Sequence, residues 1–302
     1  MILNPVSTYV RANHLRFHYL RWNAATAGKT ALLVHGLASN SRIWTFVAKQ
    51  LADADFQLIA LDTRGHGLSD KPQNGYSFDQ IFQDLSAIIQ LLDLEKPLLI
   101  GHSWGAQLVI EYAARTQFGP YAPGAIVLVD GGIVQLNKVP GADWEATRSW
   151  LTPPRLAGMK LDDFIALLES PDSKWVPNDE MIQQILANFE IDEQERIYPR
   201  LNFEHHMQIV RNIWEYKLHD HYESIRCPVL MVPARPAEPL STRERNFLEA
   251  KEQGINLAHE KIAQLKVLWM ENSIHDIPLQ RPFDLAAAIN SFSNQISSHR
   301  DQ

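Results

Sequence analysis

Apolar residues in this chain recur as short unbroken runs, separated by longer stretches in which they return every three or four positions. The runs are Ala31 to His35, Gln57 to Asp62, Leu98 to His102, Ala125 to Asp130, Pro228 to Pro233 and Lys266 to Met270. Such runs, bounded by turn residues, read as strands buried on both faces. The helical patterns between them predict a mostly parallel central sheet with crossover helices. Ahead of the first run, Ser7 to Trp22 reads as a hairpin turning at Ala12 to His14. The clearest helix sets Phe78, Ile81, Phe82, Leu85, Ile88, Ile89 and Leu92 along one face, with Ser77 placed to cap its first turn. A last helix is expected from Pro282 through Phe292, because proline at the first helical position has no amide hydrogen to leave unpaired.

Between Asp130 and Cys227 the alternation stops. No strand-like run is legible there, and the segment from Gly132 to His221 has a helical pattern broken by Pro153, Pro154, Pro171, Pro177 and Pro199. It is also rich in aromatic residues: Trp144, Trp150, Phe164, Trp175, Phe189, Phe203 and Trp214. The expected organisation is an α/β core of residues 1–132 and 222–302, with residues 133–221 inserted after the sixth strand as a helical cap. About half of these aromatics are expected in the cap's own core and the remainder on the wall of an apolar pocket. His205 and His206 are adjacent and cannot share a helix face, so they read as packing or surface residues and not as metal ligands. Thr242 to Gln264 reads as a charged helix with a solvated face, more extensive than its connection requires.

The chemistry is concentrated at the ends of the apolar runs. Leu98 to Gly105 reads L-L-I-G-H-S-W-G, which sets Ser103 between two glycines on a sharp strand-to-helix turn, the G-x-S-x-G nucleophile elbow. Small residues two before and two after the serine let strand and helix approach closely around a strained backbone. The helix after the turn aims its first amides at the place where negative charge develops during acyl transfer. Ala31 to Gly36 reads A-L-L-V-H-G, and the loop after it can bring the Leu37 amide beside that of Trp104 as a two-donor oxyanion hole. Asp62 to Ser69 reads D-T-R-G-H-G-L-S, and Ser273 to Pro282 reads S-I-H-D-I-P-L-Q-R-P. His275 therefore sits just past a strand end, where a general base belongs. His35, Arg64 and His66 read as braces of their loops and His102 as packing beneath the turn, while Asp276 is too close in sequence to His275 to face it.

On these four motifs the chain resembles the α/β-hydrolase superfamily. The resemblance implies a nucleophilic serine at Ser103, a base at His275 and oxyanion amides at Leu37 and Trp104. It implies no particular substrate, since this fold hosts many chemistries. The family's acid usually follows the seventh strand, often as an aspartate before a proline. This chain departs from that pattern: Pro233 to Leu240 reads P-A-R-P-A-E-P-L and offers Glu238. Glu238 is the leading candidate for the acid. Asp130, ending the sixth strand before Gly131 and Gly132, is the alternative. A serine nucleophile disfavours the haloalkane dehalogenase and epoxide hydrolase branches, whose alkyl-enzyme intermediates need a carboxylate.

Composition narrows the remaining choices. A net charge of −7 without a lysine or arginine cluster argues against a nucleic-acid or anionic-membrane partner. The single cysteine, Cys227, rules out an internal disulfide, reads as filler at a buried strand start and fits a reducing compartment. The opening M-I-L-N-P-V-S-T lacks a basic stretch followed by a long apolar one, so no signal peptide is expected, and no apolar run has transmembrane length. The expectation is a cytoplasmic serine hydrolase, monomeric or dimeric, using no metal or organic cofactor and cleaving a small, fairly apolar ester or lactone through an acyl-enzyme. Three alternatives use the same residues: a carbon-carbon bond hydrolase, an aminopeptidase of the proline iminopeptidase kind, and a small-molecule receptor with slow or no turnover. The aminopeptidase needs acidic cap residues for the substrate amine, for which Glu145, Glu169, Asp192 and Glu204 are candidates.

Overall fold

A computed structural model describes residues 4–23, 28–170 and 173–300. Pro171 and the first three residues of the N-terminal reading lie outside the described residues. Eight strands form one sheet: β1 (Val6–Ala12), β2 (Leu15–Trp22), β3 (Lys29–Val34), β4 (Phe56–Leu61), β5 (Leu98–His102), β6 (Ala125–Val129), β7 (Val229–Val232) and β8 (Leu265–Val267). Their spatial order is β1-β2-β4-β3-β5-β6-β7-β8, antiparallel through the β1–β2–β4 edge and parallel from there on. The expected hairpin and parallel sheet are both present. β5 and β6 are buried along their whole length, which is why their sequences show no alternation.

Helices close both faces. On one lie α1 (Thr45–Asp53) and the C-terminal α10 (Pro282–Arg300), packed with Leu33, Ile100 and Val127 of the sheet. On the other lie α2 (Phe78–Leu91) and α3 (Trp104–Arg115). Ser77 caps α2 as expected by accepting from the Gln80 amide, and Phe78, Ile81, Leu85, Ile88 and Ile89 are its buried face. Asp84 is buried among them because Arg64 donates to both its carboxylate oxygens, tying the glycine-rich loop after β4 to α2.

Between β6 and β7 the chain leaves the sheet. This insertion contains α4 (Trp144–Leu151), α5 (Leu161–Leu168), α6 (Asp179–Leu186) and α7 (Phe203–Glu215). Asp143, Asn178 and Asn202 cap α4, α6 and α7 by accepting from amides three residues on. The insertion is not purely helical: Met159–Lys160, Phe189–Ile191 and Arg196–Pro199 form a three-stranded antiparallel sheet. Segments of two to four residues are too short to display a period of two, so sequence patterning misses them. Phe164, Ile182, Leu186, Phe189 and Ile197 build a small core inside the insertion. It meets the body of the protein where the Tyr76 hydroxyl approaches His205 Nδ1 at 2.9 Å and where Phe78 stacks on Tyr216 at 3.8 Å. His205 and His206 are thus buried packing residues, the latter directed at the Leu151 carbonyl oxygen. Beyond β7, α8 (Thr242–Lys261) returns along the outside of the sheet, and a single turn α9 (Ile277–Gln280) precedes α10.

The turn from β5 to α3 is closely packed against its neighbours. A Cβ on Gly101 would stand 2.3 Å from the Gly105 carbonyl oxygen, and one on Gly105 would stand 2.4 Å from that of Val34. Both obstacles are backbone atoms, one in α3 and one in β3, so relief requires the helix or the strand itself to shift. Gly105→Ala is expected to lower unfolding free energy by about 1–3 kcal/mol, measured by urea denaturation. A stability equal to wild type would show that α3 and β3 are not held at this distance.

Candidate active site

Ser103 occupies the turn with φ of 54° and ψ of −119°, a left-handed backbone that a non-glycine residue adopts only when its surroundings enforce it. Enforcement comes from the hydrogen bond of the Ser103 amide to the Val129 carbonyl (2.9 Å) and from the α3 amides beginning immediately after. The consequence is an Oγ lifted clear of the sheet, 2.8 Å from His275 Nε2. The other imidazole nitrogen, Nδ1, lies 2.6 Å from Asp130 Oδ2. The chain hydroxyl, imidazole, carboxylate is therefore continuous across three strand ends, with Ser103 after β5, Asp130 after β6 and His275 beyond β8.

The carboxylate partner of His275 is Asp130 and not Glu238. The side chain of Glu238 is 68% exposed, accepts from the Leu240 amide at 2.8 Å and lies 3.8 Å from Arg245. Ala234–Arg235 forms a short parallel ladder with Met270–Glu271, and Glu238 follows it in an outward loop. Asp130 takes up the space above β7, where its Oδ1 accepts the Ala234 amide at 2.8 Å. Its own backbone has φ of 39°, and Gly131 crosses so close to Ser103 that a Cβ there would meet the Ser103 carbonyl oxygen at 2.1 Å. The glycine after Asp130 is thus a requirement of the site.

His275 is held from behind. His102 Nε2 donates to the His275 carbonyl oxygen at 2.9 Å, and burial pushes the His102 pKa down to about 4, so the donor is a neutral ring. The Ile274 amide donates to Gln280 Oε1 at 2.7 Å. His275 itself has 53% of its side chain open, and that opening faces a half-open cavity that it lines with Ser103. Desolvation there disfavours the imidazolium, yet the hydrogen bond and charge of Asp130 outweigh it and raise the His275 pKa. Desolvation likewise disfavours ionised Asp130, and contact with His275 and Lys251 more than reverses it. Asp276 faces a neighbouring cavity.

The cavity holds about 500 Å³ and is walled mainly by apolar side chains, among them Leu136, Trp150, Ile213 and Phe247. Leu37 and Trp104 line it beside Ser103, and the Gly36 backbone abuts the serine, its Cβ position 3.0 Å from Ser103 Cβ. Of the seven insertion aromatics, Trp150 lines this cavity and Trp175 an adjoining one of about 390 Å³, fewer than half. Phe164 and Phe189 pack inside the insertion, Trp144 meets Trp214, and Phe203 is exposed. Sequence patterning missed the contribution of α8, which supplies Glu244, Phe247 and Lys251 to the wall. The available signal was the spacing of Phe247, Lys251, Gly254 and Ala258, one helical stripe inside a segment whose charge reads as solvated. His35 and His66 are loop braces: His35 Nδ1 donates to the Gly36 carbonyl, and its Nε2 accepts the Thr63 amide. Among the described residues no group of three His, Cys, Asp or Glu side chains could hold a metal ion, and no helix is long and apolar enough to cross a membrane.

Sheet order, the strained turn after β5 and the position of the insertion define an enzyme of the hydrolase class. Residues 30–231 match the family model described as alpha/beta hydrolase fold, more than half of the chain, and the chain belongs to that family. It is 40% identical over 124 residues to N-formylmaleamate deformylase of Pseudomonas putida, covering 40% of this chain and 43% of that protein. It is 39% identical over 89 residues to 2-(acetamidomethylene)succinate hydrolase of Mesorhizobium japonicum, covering 30% and 32%. The chain thus spans less than half the length of these two relatives. A crystal structure of E-2-(acetamidomethylene)succinate hydrolase superimposes with a TM-score of 0.75 at 22% identity, covering 96% of this chain and 99% of that one, which is a likeness of fold.

The raised His275 pKa fixes a direction for pH dependence. Imidazolium cannot accept the serine proton, so activity rises with pH through the His275 pKa, and the acid limb of kcat/KM is expected above the free-imidazole value of about 6.5. Asp130→Asn removes the carboxylate that raises this pKa. It is expected to move the limb of any residual activity to lower pH while cutting kcat by about 10⁴-fold, whereas Glu238→Ala leaves both near wild type. The reverse ranking in a pH-rate series would return the acid to Glu238.

Proposed function

We propose that this protein hydrolyses a small, fairly apolar carboxylic ester or lactone through an acyl-enzyme on Ser103. The observation that carries the reading is the unbroken chain from Ser103 through His275 to Asp130 opening onto an apolar cavity. In the first step the Ser103 hydroxyl oxygen attacks the carbonyl carbon while His275 Nε2 takes its proton, and Asp130 steadies the imidazolium at Nδ1. The amides of Leu37 and Trp104 receive the oxyanion, each such donor contributing about 2.7–4 kcal/mol to the transition state. His275 then protonates the departing alcohol, and water, activated by the same imidazole, releases the acid. The chemistry is complete with these groups. Residues 133–221 act as the cap, supplying Leu136, Trp150 and Ile213 to the wall around the acyl group.

The charges in the cavity wall support a neutral substrate. Lys251 pairs with Asp130 and Lys174 with Glu244, so the ions lining this space are matched within the protein. Glu145, Glu169, Asp192 and Glu204 are not among its lining residues, which weighs against an aminopeptidase that would hold a free amine with cap carboxylates. A complete proton relay weighs against a receptor with little turnover. The similarity to a deformylase favours one second reading, removal of an acyl group from nitrogen, by the same steps with an amine leaving.

The test is hydrolysis of a chain-length series of p-nitrophenyl esters together with N-acyl anilides. Turnover is expected to peak at medium acyl length and to fall by more than about 10⁴-fold in Ser103→Ala. Anilides cleaved faster than every ester would transfer the assignment to the second reading. Turnover that survives the serine substitution would remove the acyl-enzyme altogether.

A further inference from the structure

The proposed mechanism gives no part to Lys251, although this lysine is buried against the carboxylate the mechanism uses. The Lys251 side chain is 8% exposed and that of Asp130 1%. Lys251 Nζ lies 2.6 Å from Asp130 Oδ1 and 3.0 Å from the Ala234 carbonyl oxygen. The Ala234 amide donates to the same Oδ1, which leaves Oδ2 to His275 alone among the bonds described. Burying an ammonium costs hydration and the freedom of a long side chain, so lysine is a poor choice where any donor would serve. The fold nevertheless presses α8 against the Asp130 loop: a Cβ on Gly254 would meet the Ile133 carbonyl oxygen at 2.3 Å. One helical turn before Gly254, this approach delivers Lys251 to the carboxylate.

Resting on the Ser103–His275–Asp130 reading, we infer that Lys251 is a positioning residue of the site. Its ammonium ties down one oxygen of Asp130, turns the other to His275 and partly neutralises the field that the carboxylate exerts on the imidazole. The charged and titratable groups around His275 are Asp130 after β6, Lys251 on α8, His102 at the end of β5 and Asp276 next in the chain. The paired Lys174 and Glu244 line the same cavity. Asp130 and Asp276 favour imidazolium, and Lys251 opposes them. A His–Asp pair without the lysine holds its proton more tightly, so less of the base is free near neutrality.

The test reads activation of the serine without requiring the natural substrate: the rate at which a fluorophosphonate probe labels Ser103, followed against pH. In Lys251→Met and Lys251→Gln the midpoint of the labelling curve is expected at higher pH than in wild type, with the rate at pH 7 reduced about 10- to 100-fold. Lys251→Arg keeps the charge and is expected to hold the midpoint near wild type even if its rate falls. Gln supplies a donor without charge, so a midpoint restored by Gln, or one shifted equally by Arg, overturns the electrostatic role. Midpoints unchanged in Met and Gln overturn the inference while leaving the Ser103 reading intact. A wild-type protein that takes no label at Ser103 overturns that reading and the inference with it. Near-UV circular dichroism identifies a variant that has not folded, and should Met fail there, the Gln and Arg pair carries the same comparison.

Discussion

A carboxylate withdrawn almost wholly from solvent must be matched by nearby donors or lose its charge, and the way Asp130 is matched organises this molecule. Three parts of the chain converge on its two oxygens: the backbone after β7 through Ala234, α8 through Lys251, and the loop after β8 through His275. All three lie more than a hundred residues from Asp130, and Arg235 joins them further by pairing with Glu252 of α8 and with Glu271. Their common partner fixes the distance of His275 from Ser103, because His275 is set on one side by Asp130 and on the other by the His102 bond to its carbonyl. The half-open imidazole facing the cavity therefore rests on a support that is itself closed to water.

A second Ser–His–Asp arrangement in the same chain shows how much the surroundings decide. Ser7 Oγ lies 2.8 Å from His18 Nε2, and His18 Nδ1 lies 2.8 Å from Asp62 Oδ2, distances close to those of the first. Ser7 sits in regular strand backbone paired with Leu20, so its hydroxyl is neither lifted clear by a strained turn nor placed before a helix N-terminus. Asp62 is engaged further by the amides of Ser41 and Leu68, and the Ser69 hydroxyl bonds its carbonyl. This trio ties the β1–β2 hairpin to the loop after β4. Ser103 differs in having a positive φ, the N-terminus of α3 directly after it and an apolar cavity in front of it, and these features set it apart more than the relay does.

The parts of this design that sequence revealed are those with a strict local requirement. Strands buried on both faces must be apolar throughout, so β3 to β7 stood out as runs; β1 and β2 formed a hairpin marked by its turn, and the edge strand β8, with Lys266 exposed, was read as part of the longer run Lys266 to Met270. The elbow is legible because close approach of β5 and α3 admits only glycine at positions 101 and 105. Which carboxylate meets His275 was not legible: position along the chain favoured Glu238 with Asp130 as the alternative, while in the structure it is Asp130 that the Ala234 amide and Lys251 hold. Both are long-range contacts, 104 and 121 residues from Asp130. For the same reason α8 was misread: charge on a helix signals solvent unless its partner is known, and the partner of Lys251 lies in another part of the chain.

Histidine is where this distinction becomes chemical. His35, His66, His102 and His206 are all shifted down by burial, and each has a backbone carbonyl oxygen within hydrogen-bonding distance of a ring nitrogen. A carbonyl accepts a hydrogen bond from a neutral ring without stabilising a second proton enough to offset desolvation, so these rings stay uncharged and serve as rigid donors. His275 is half-open to the cavity, its Nδ1 faces a carboxylate, and its pKa is shifted up. Desolvation opposes the charged ring at His275 as it does at the braces, and the carboxylate at Nδ1 is what reverses the shift there and separates the braces from a group that can hold a second proton. Lys251 then limits how far that upward shift goes, since an imidazole bound too tightly to its proton cannot accept another from serine near neutral pH.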